Sequence, residues 1–180
     1  PFNDVVTVNL GLQDLNNIKS IRGLAENFNN TFISITNTTV FDMKINPVVE
    51  ITGSNAQQVG IFRRDSVSPA IMSFDLDMNT GTLTLNFSET IDILSLNISK
   101  LTLQSTFTAD NSTTKLYTLM QGNLPLLSST SSPDSYIVTI KVGETDLNAI
   151  KQIEELAKNE TWTYITVPSD VVSDRAGNPV

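Results

Sequence analysis

Residues 74–87 carry the sharpest two-residue alternation in the chain. Phe74, Leu76 and Met78 interleave with Asp75, Asp77 and Asn79; Leu83, Leu85 and Phe87 interleave with Thr82, Thr84, Asn86 and Ser88. That period predicts two half-buried strands, and Asn79-Thr80-Gly81 between them supplies the glycine that a tight hairpin needs. Shorter apolar runs at Ile91–Leu96, Ile98–Leu103, Lys115–Met120, Tyr136–Val142 and Trp162–Val167 predict further strands, parted by polar loops at Ala109–Thr114 and Ser128–Ser132. Over Asp146–Lys158 the period changes. Leu147, Ile150, Ile153, Leu156 and Ala157 share one side of a predicted helix, with Lys151–Glu155 and Glu154–Lys158 four apart on the other. Upstream, Val5, Val6, Val8 and Leu10 predict a strand, and Asp14 caps a short helix through Asn27. Phe32, Ile33 and Ile35 resume extended structure, and Val48, Val49 and Ile51 predict a closing strand. Many short strands with one crossover helix predict an all-β fold of the sandwich kind.

The upstream elements repeat the downstream ones. Shifted by 132 positions without a gap, residues 1–48 match residues 133–180 at 20 of 48 positions, among them Asp14-Leu15-Asn16 with Asp146-Leu147-Asn148 and Asn46-Pro47-Val48 with Asn178-Pro179-Val180. A period that long means one whole domain per repeat rather than a solenoid turn. Residues 1–66 therefore read as the C-terminal part of one repeat, with Gly53–Ser68 as exit and linker. Residues 67–180 read as a second repeat that lacks its closing strand. With no initiating Met and no signal-peptide pattern, the sequence reads as a window on a longer tandem array.

Composition narrows function mainly by exclusion. The net charge is −8 and no basic cluster exceeds Arg63-Arg64, which speaks against a nucleic-acid partner. The absence of Cys and His removes disulfides, thiol and imidazole catalysis and the usual zinc ligands. No apolar run approaches the roughly 20 residues that span a bilayer. Nothing in the spacing of Ser, Lys and carboxylates gathers a catalytic set, so no enzyme activity and no cofactor is expected.

Ser and Thr make up 40 of the 180 residues and Asn 18, and six Asn-x-Ser/Thr sequons occur, at Asn29, Asn37, Asn86, Asn97, Asn111 and Asn159. Composition alone yields roughly four, so placement carries more than number. Asn86 points away from the Leu83/Leu85/Phe87 face, Asn97 lies between Leu96 and Ile98, Asn111 lies in a loop and Asn159 ends the helix. All four are expected to face solvent, as a covalent glycan requires. Asp75, Asp77, Asn79 and Gly81 echo a calcium loop, but the glycine falls at position seven instead of six and strands replace the flanking helices. An outward strand face accounts for them more simply. Asp174, Asp170 and Glu89 are further oxygen donors for calcium if a site forms at a domain junction. Trp162, Tyr164 and Tyr136 suit core packing and edge protection better than a sugar-stacking platform.

Phe87-Ser88-Glu89-Thr90-Ile91-Asp92, Thr163-Tyr164-Ile165-Thr166-Val167 and Asp174-Arg175-Ala176-Gly177-Asn178-Pro179 resemble the immunoglobulin-like domains first described in bacterial surface-layer proteins. The run Ser73–Leu85 is similar to giant tandem-repeat surface proteins of aquatic microbes, including protists. Tyr164 suits a tyrosine corner, although its counterpart Phe32 lacks the hydroxyl. The resemblance implies Ig-like β-sandwich repeats, each with one short crossover helix, serving as building blocks of an extracellular or cell-surface glycoprotein filament or coat. The alternatives it leaves are an adhesin stalk and a carbohydrate-binding surface protein. The implied partners are neighbouring copies, joined head-to-tail or by strand complementation, and glycans.

Overall fold

The computed structural model describes residues 5–109, 113–122 and 127–180, and within it the chain is mostly strands in antiparallel sheets with few helices. Two units form, Pro1–Ser66 and Val67–Val180. The first contains helix α1 (Leu12–Ser20) and the short strands β1 (Phe32–Ile33) and β2 (Gln57–Gln58). The second contains β3 (Ile71–Asp77), β4 (Thr82–Ile91), β5 (Thr102–Gln104), β6 (Leu116–Thr118), β7 (Ser135–Lys141), helix α2 (Glu144–Gln152) and β8 (Tyr164–Thr166). No described helix is long and apolar enough to cross a membrane.

In the second unit the alternating residues do what their period requires. β3 pairs with β4 through Phe74↔Leu85 and Leu76↔Leu83, and β7 takes the other edge of β4 through Leu83↔Ile140 and Leu85↔Val138. One face of this sheet, with Leu83, Leu85, Val138 and Ile140 fully buried, meets Leu101, Leu103 and Leu119 from the region of a second sheet, ordered β6-β5-β8. Ile150 of α2 and Leu156 beyond it join this core. Burying such side chains is worth about 1.5–3 kcal/mol each.

The first unit has the same local patterns without that floor. Val5, Val6, Val8 and Leu10 form no strand and lie exposed, whereas their counterparts at 137–142 lie in or beside β7. The difference is the neighbour. β7 is held by β4, and no stretch of residues 1–66 corresponds to β4, so the same β-prone residues have no ladder to join.

Other expectations need correcting. The helices end at Ser20 and Gln152 rather than Asn27 and Lys158, so Lys151–Glu155 and Glu154–Lys158 are not helical pairs. After Gln152 the backbone turns left-handed at Glu155 (φ 65°) and Ala157 (φ 53°), and Leu156 between them enters the core. The predicted strands at 91–103 contain two 3-10 turns, Ile93–Ser95 and Ile98–Lys100, before the short β5. Asp92 and Asn97 cause this, because their side chains accept the backbone N–H two residues on. The predicted closing strand at 48–51 keeps a single bridge, Ile51 with Ile35, while β2 forms within the stretch read as linker.

Gly81 closes the β3–β4 hairpin at φ +65°, and a Cβ there would lie 3.2 Å from both Leu147 Cδ2 and the Val142 carbonyl oxygen. Gly81→Ala is therefore expected to destabilise the chain by about 1–3 kcal/mol, measured as a lower denaturation midpoint. An unchanged midpoint would mean that the hairpin does not hold this turn.

Candidate functional site

The two units share more than sequence. Asp42 and Asp174, 132 positions apart, each build the same turn around an Asn-Pro-Val. The Asp42 carboxylate accepts Asn46 N–H (2.8 Å) and the Asn46 amide (2.8 Å); the Asp174 carboxylate accepts Asn178 N–H (2.8 Å) and the Asn178 amide (2.7 Å). Val48 N–H then donates to Val40 O, as Val180 N–H does to Val172 O. Positive φ recurs at the same offset: Gly23 and Glu155, Ala25 and Ala157, Ile45 and Gly177. The loops after the helices match as well, with Thr31 Oγ1 donating to Asn27 O at 2.7 Å and Thr163 Oγ1 to Asn159 O at 2.6 Å. The hydrogen bonds from Asn46, chiefly its side-chain amide, hold the Asp42 carboxyl below the usual range.

The sequons divide by setting. Asn29, Asn37 and Asn159 are exposed, Asn86 and Asn97 are half-buried, and Asn111 lies outside the described residues. Asn86, central on the outer face of β4, donates its amide to Ser73 Oγ at 3.0 Å. Asn97 is not a strand residue; its Oδ1 accepts Ser99 Oγ at 2.6 Å as it caps the following turn. Asn159 Oδ1 accepts Thr161 Oγ1 at 2.6 Å without capping the turn's backbone.

The acidic positions are largely occupied by structural bonds. Asp77 Oδ2 accepts Thr80 Oγ1 at 2.7 Å and its Oδ1 accepts Asn79 N–H at 2.8 Å, which keeps its carboxyl below the ordinary range and fastens the hairpin. Asp75 and Asn79 are exposed on the same hairpin. Asp170 pairs with Lys100 at 2.5 Å, the bond that lowers its pKa. Glu89 and Asp174 are both buried, with carboxylate oxygens within 4.8 Å of each other. The aromatic residues are dispersed: Tyr136 is in β7, Trp162 ends a 3-10 turn, and Tyr164 packs edge-on against Phe107 at 6.0 Å.

Sequence reasoning missed a fully buried carboxylate that joins separate elements. Asp146, in the first turn of α2, is fully buried and takes three hydrogen bonds: from Tyr117 OH (2.8 Å), Met120 N–H (3.0 Å) and Ser128 Oγ (2.5 Å). Ser128 Oγ in turn accepts Gly143 N–H at 3.1 Å. One carboxylate at a helix N-terminus thus ties together β6, the 128 loop and α2. The available signal was the identity of Asp14 and Asp146 across the repeat, yet Asp14 itself is exposed.

A groove of about 650 Å³ opens where both sheets of the second unit end. Phe74, Leu76 and Met78 of the β3 hairpin line one wall; Ala157, Asn159 and Thr163, beside β8, line the other. β3 and β8 are the outer strands of their respective sheets. The chain matches no protein family, no curated protein and no solved structure.

Two outcomes are expected around Asp146. Asp146→Ala leaves buried donors without their acceptor, each costing about 1–3 kcal/mol, whereas Asp14→Ala should stay within about 0.5 kcal/mol; denaturant titration compares them. The Tyr117 hydroxyl is pushed from 10.0 to about 12, by burial first and by the Asp146 bond second. A raised folded-state pKa gives stability that is complete below the unfolded value and lost as pH climbs through the folded one. Melting temperature should therefore fall more steeply between pH about 10 and 12 in the native chain than in Tyr117→Phe. Equal slopes would remove Tyr117 from this role.

Proposed function

We propose that this chain is a structural segment of an extracellular glycoprotein filament or surface coat, built from tandem Ig-like β-sandwich repeats. The observation that carries the reading is the recurrence, 132 positions apart, of a turn reproduced bond for bond at Asp42 and Asp174. Repetition at that level of detail serves a repeating object, in which each domain presents the same ends to its neighbours. The hydroxyl- and amide-rich composition and the exposed sequons support a glycosylated surface. Asp77 fastens a hairpin and Asp146 forms a buried latch, uses that suit a mechanical role.

The test is secretion of the chain from a eukaryotic host, followed by intact-mass measurement and electron microscopy. The mass should exceed the 19.7 kDa polypeptide by whole glycan units and return to it on enzymatic deglycosylation. Asn29→Gln, Asn37→Gln and Asn159→Gln should each remove one unit. Linear assemblies should be visible by microscopy. A bare, monodisperse monomer would sink the proposal.

A further inference from the structure

The two units display complementary halves of one strand arrangement. Among the described residues of the second unit, β8 pairs with β5 alone, through Thr102↔Thr166, Leu103↔Ile165 and Gln104↔Tyr164. In the first unit the counterpart of β8 is β1, which pairs instead with β2, through Phe32↔Gln58 and Ile33↔Gln57, with Ile35↔Ile51 beyond. Hydrogen-bond parity shows that these partners use opposite edges. Leu119 N–H donates to Leu101 O and Ser105 N–H to Lys115 O, so the odd-numbered backbone groups of β5 face β6. Alternation turns Thr102 and Gln104 towards β8, opposite Thr166 and Tyr164. The backbone groups of Thr163, Ile165 and Val167 then point away from β5. Their counterparts Thr31 and Ile35 are bonded to the β2 side: Val59 N–H to Thr31 O, and Ile35 and Ile51 to each other in both directions, all at 3.0 Å.

We propose that the outer edge of β8 is a strand-acceptor site, and that its occupant is the segment Ile51–Val59 of a second copy of this chain, added antiparallel with Gln58 opposite Tyr164 and Ile51 opposite Val167. The proposal rests on the structural-repeat reading above and gives that repeat its contact. The sheet order becomes β6-β5-β8 followed by the donated strand. The pairings carry over from β1: β2 supplies the register around Gln58, the 3-10 turn Gly53–Asn55 loops out, and Ile51 rejoins the ladder opposite Val167, which places Ile51 and Val59 on the face shared with Ile165 and Val167, which pack against the core. The groove of about 650 Å³ lined by the β3 hairpin meets this side at Thr163, the residue just before β8. Ile51–Val59 bears no charge, so Asp75, Asp77 and Glu160 in the groove lining do not repel it. Exchange from β1 is favourable because β1 and β2 form only a two-stranded sheet, in which Phe32 and Ile33 are exposed, whereas β8 belongs to a sheet backed by the core.

The chain has no cysteine, so a designed pair reports cleanly. Chains made without glycan leave Asn159 bare at the end of the groove. A chain carrying Gln58→Cys is mixed with a mass-labelled chain carrying Tyr164→Cys and oxidised. Tyr164 and Gln58 form a non-hydrogen-bonded pair, whose Cα separation of about 4.5 Å admits a disulfide, whereas Gln57 faces the other side of the strand. The heterodimer should form about tenfold faster with Gln58→Cys than with Gln57→Cys. Equal rates, or no heterodimer from either, overturn the proposal. Amide exchange on the unmodified chain gives a second reading that no substitution can disturb. On raising concentration, Ile165 and Val167 should gain protection while Tyr164 and Thr166, already turned to β5, should not; a flat response at Ile165 and Val167 overturns the proposal. If this pairing fails while the glycosylated chain still builds linear assemblies, the structural reading stands and the contact lies elsewhere.

Discussion

A strand is stable only when its backbone groups have partners and one of its faces has an apolar floor, and this chain tests both requirements internally. Val138-Thr139 lies in β7, while the identical Val6-Thr7 lies in a segment that forms no strand. Local propensity is the same in both places, so the outcome is set by what lies alongside. The same contrast holds for the helices. Both run nine residues from a glycine N-cap, yet Ile150 is fully buried in one, while the other has Asn16 as its only buried residue. Turns, by contrast, need no floor. The hydrogen bonds of the Asp42 and Asp174 turns agree in length to within about a tenth of an ångström because they are made among residues four apart.

This division explains what could be read from the sequence. The β3–β4 hairpin was legible because two-residue alternation and Asn-Thr-Gly specify it locally. The region from Ile91 to Leu103 was misread because its apolar residues resemble strands, while Asp92 and Asn97 bend the backbone into short turns that bury the same residues. The apolar stripe of the second helix was legible, but its end was not. Leu156 continues the helical period and is buried, yet it reaches the core through left-handed residues on either side. Asp146 was hidden for another reason. Its three donors come from β6, the segment after it, and the 128 loop, and no local pattern announces that convergence.

On the proposed reading, a sequon side chain would serve two purposes. At Asn97 and Asn159 the carbonyl oxygen accepts the hydroxyl of the sequon's own Ser or Thr, and at Asn97 it also caps a turn. The amide nitrogen, the atom that would bear a glycan, is not the atom used in that contact. Sugar attachment and turn formation therefore do not compete. Asn86 differs, since its amide nitrogen donates to Ser73; substitution there would leave one N–H to keep that bond.

On the proposed reading, the position of β2 also bears on stiffness. If a strand that follows the Asn-Pro-Val turn fills the edge of the preceding sandwich, then the residues joining one repeat to the next are themselves part of a sheet. Only a short remainder, from Gly60 to Ser66, is then left to flex, and it includes Asp65, which pairs with Lys19 at 2.6 Å. A flexible linker lets neighbouring domains diffuse over several residue lengths; a paired strand fixes direction as well as distance. The same ladder that protects the sandwich from indiscriminate edge pairing would transmit tension along the array. Covering β8 and stiffening the filament are, on this account, one contact.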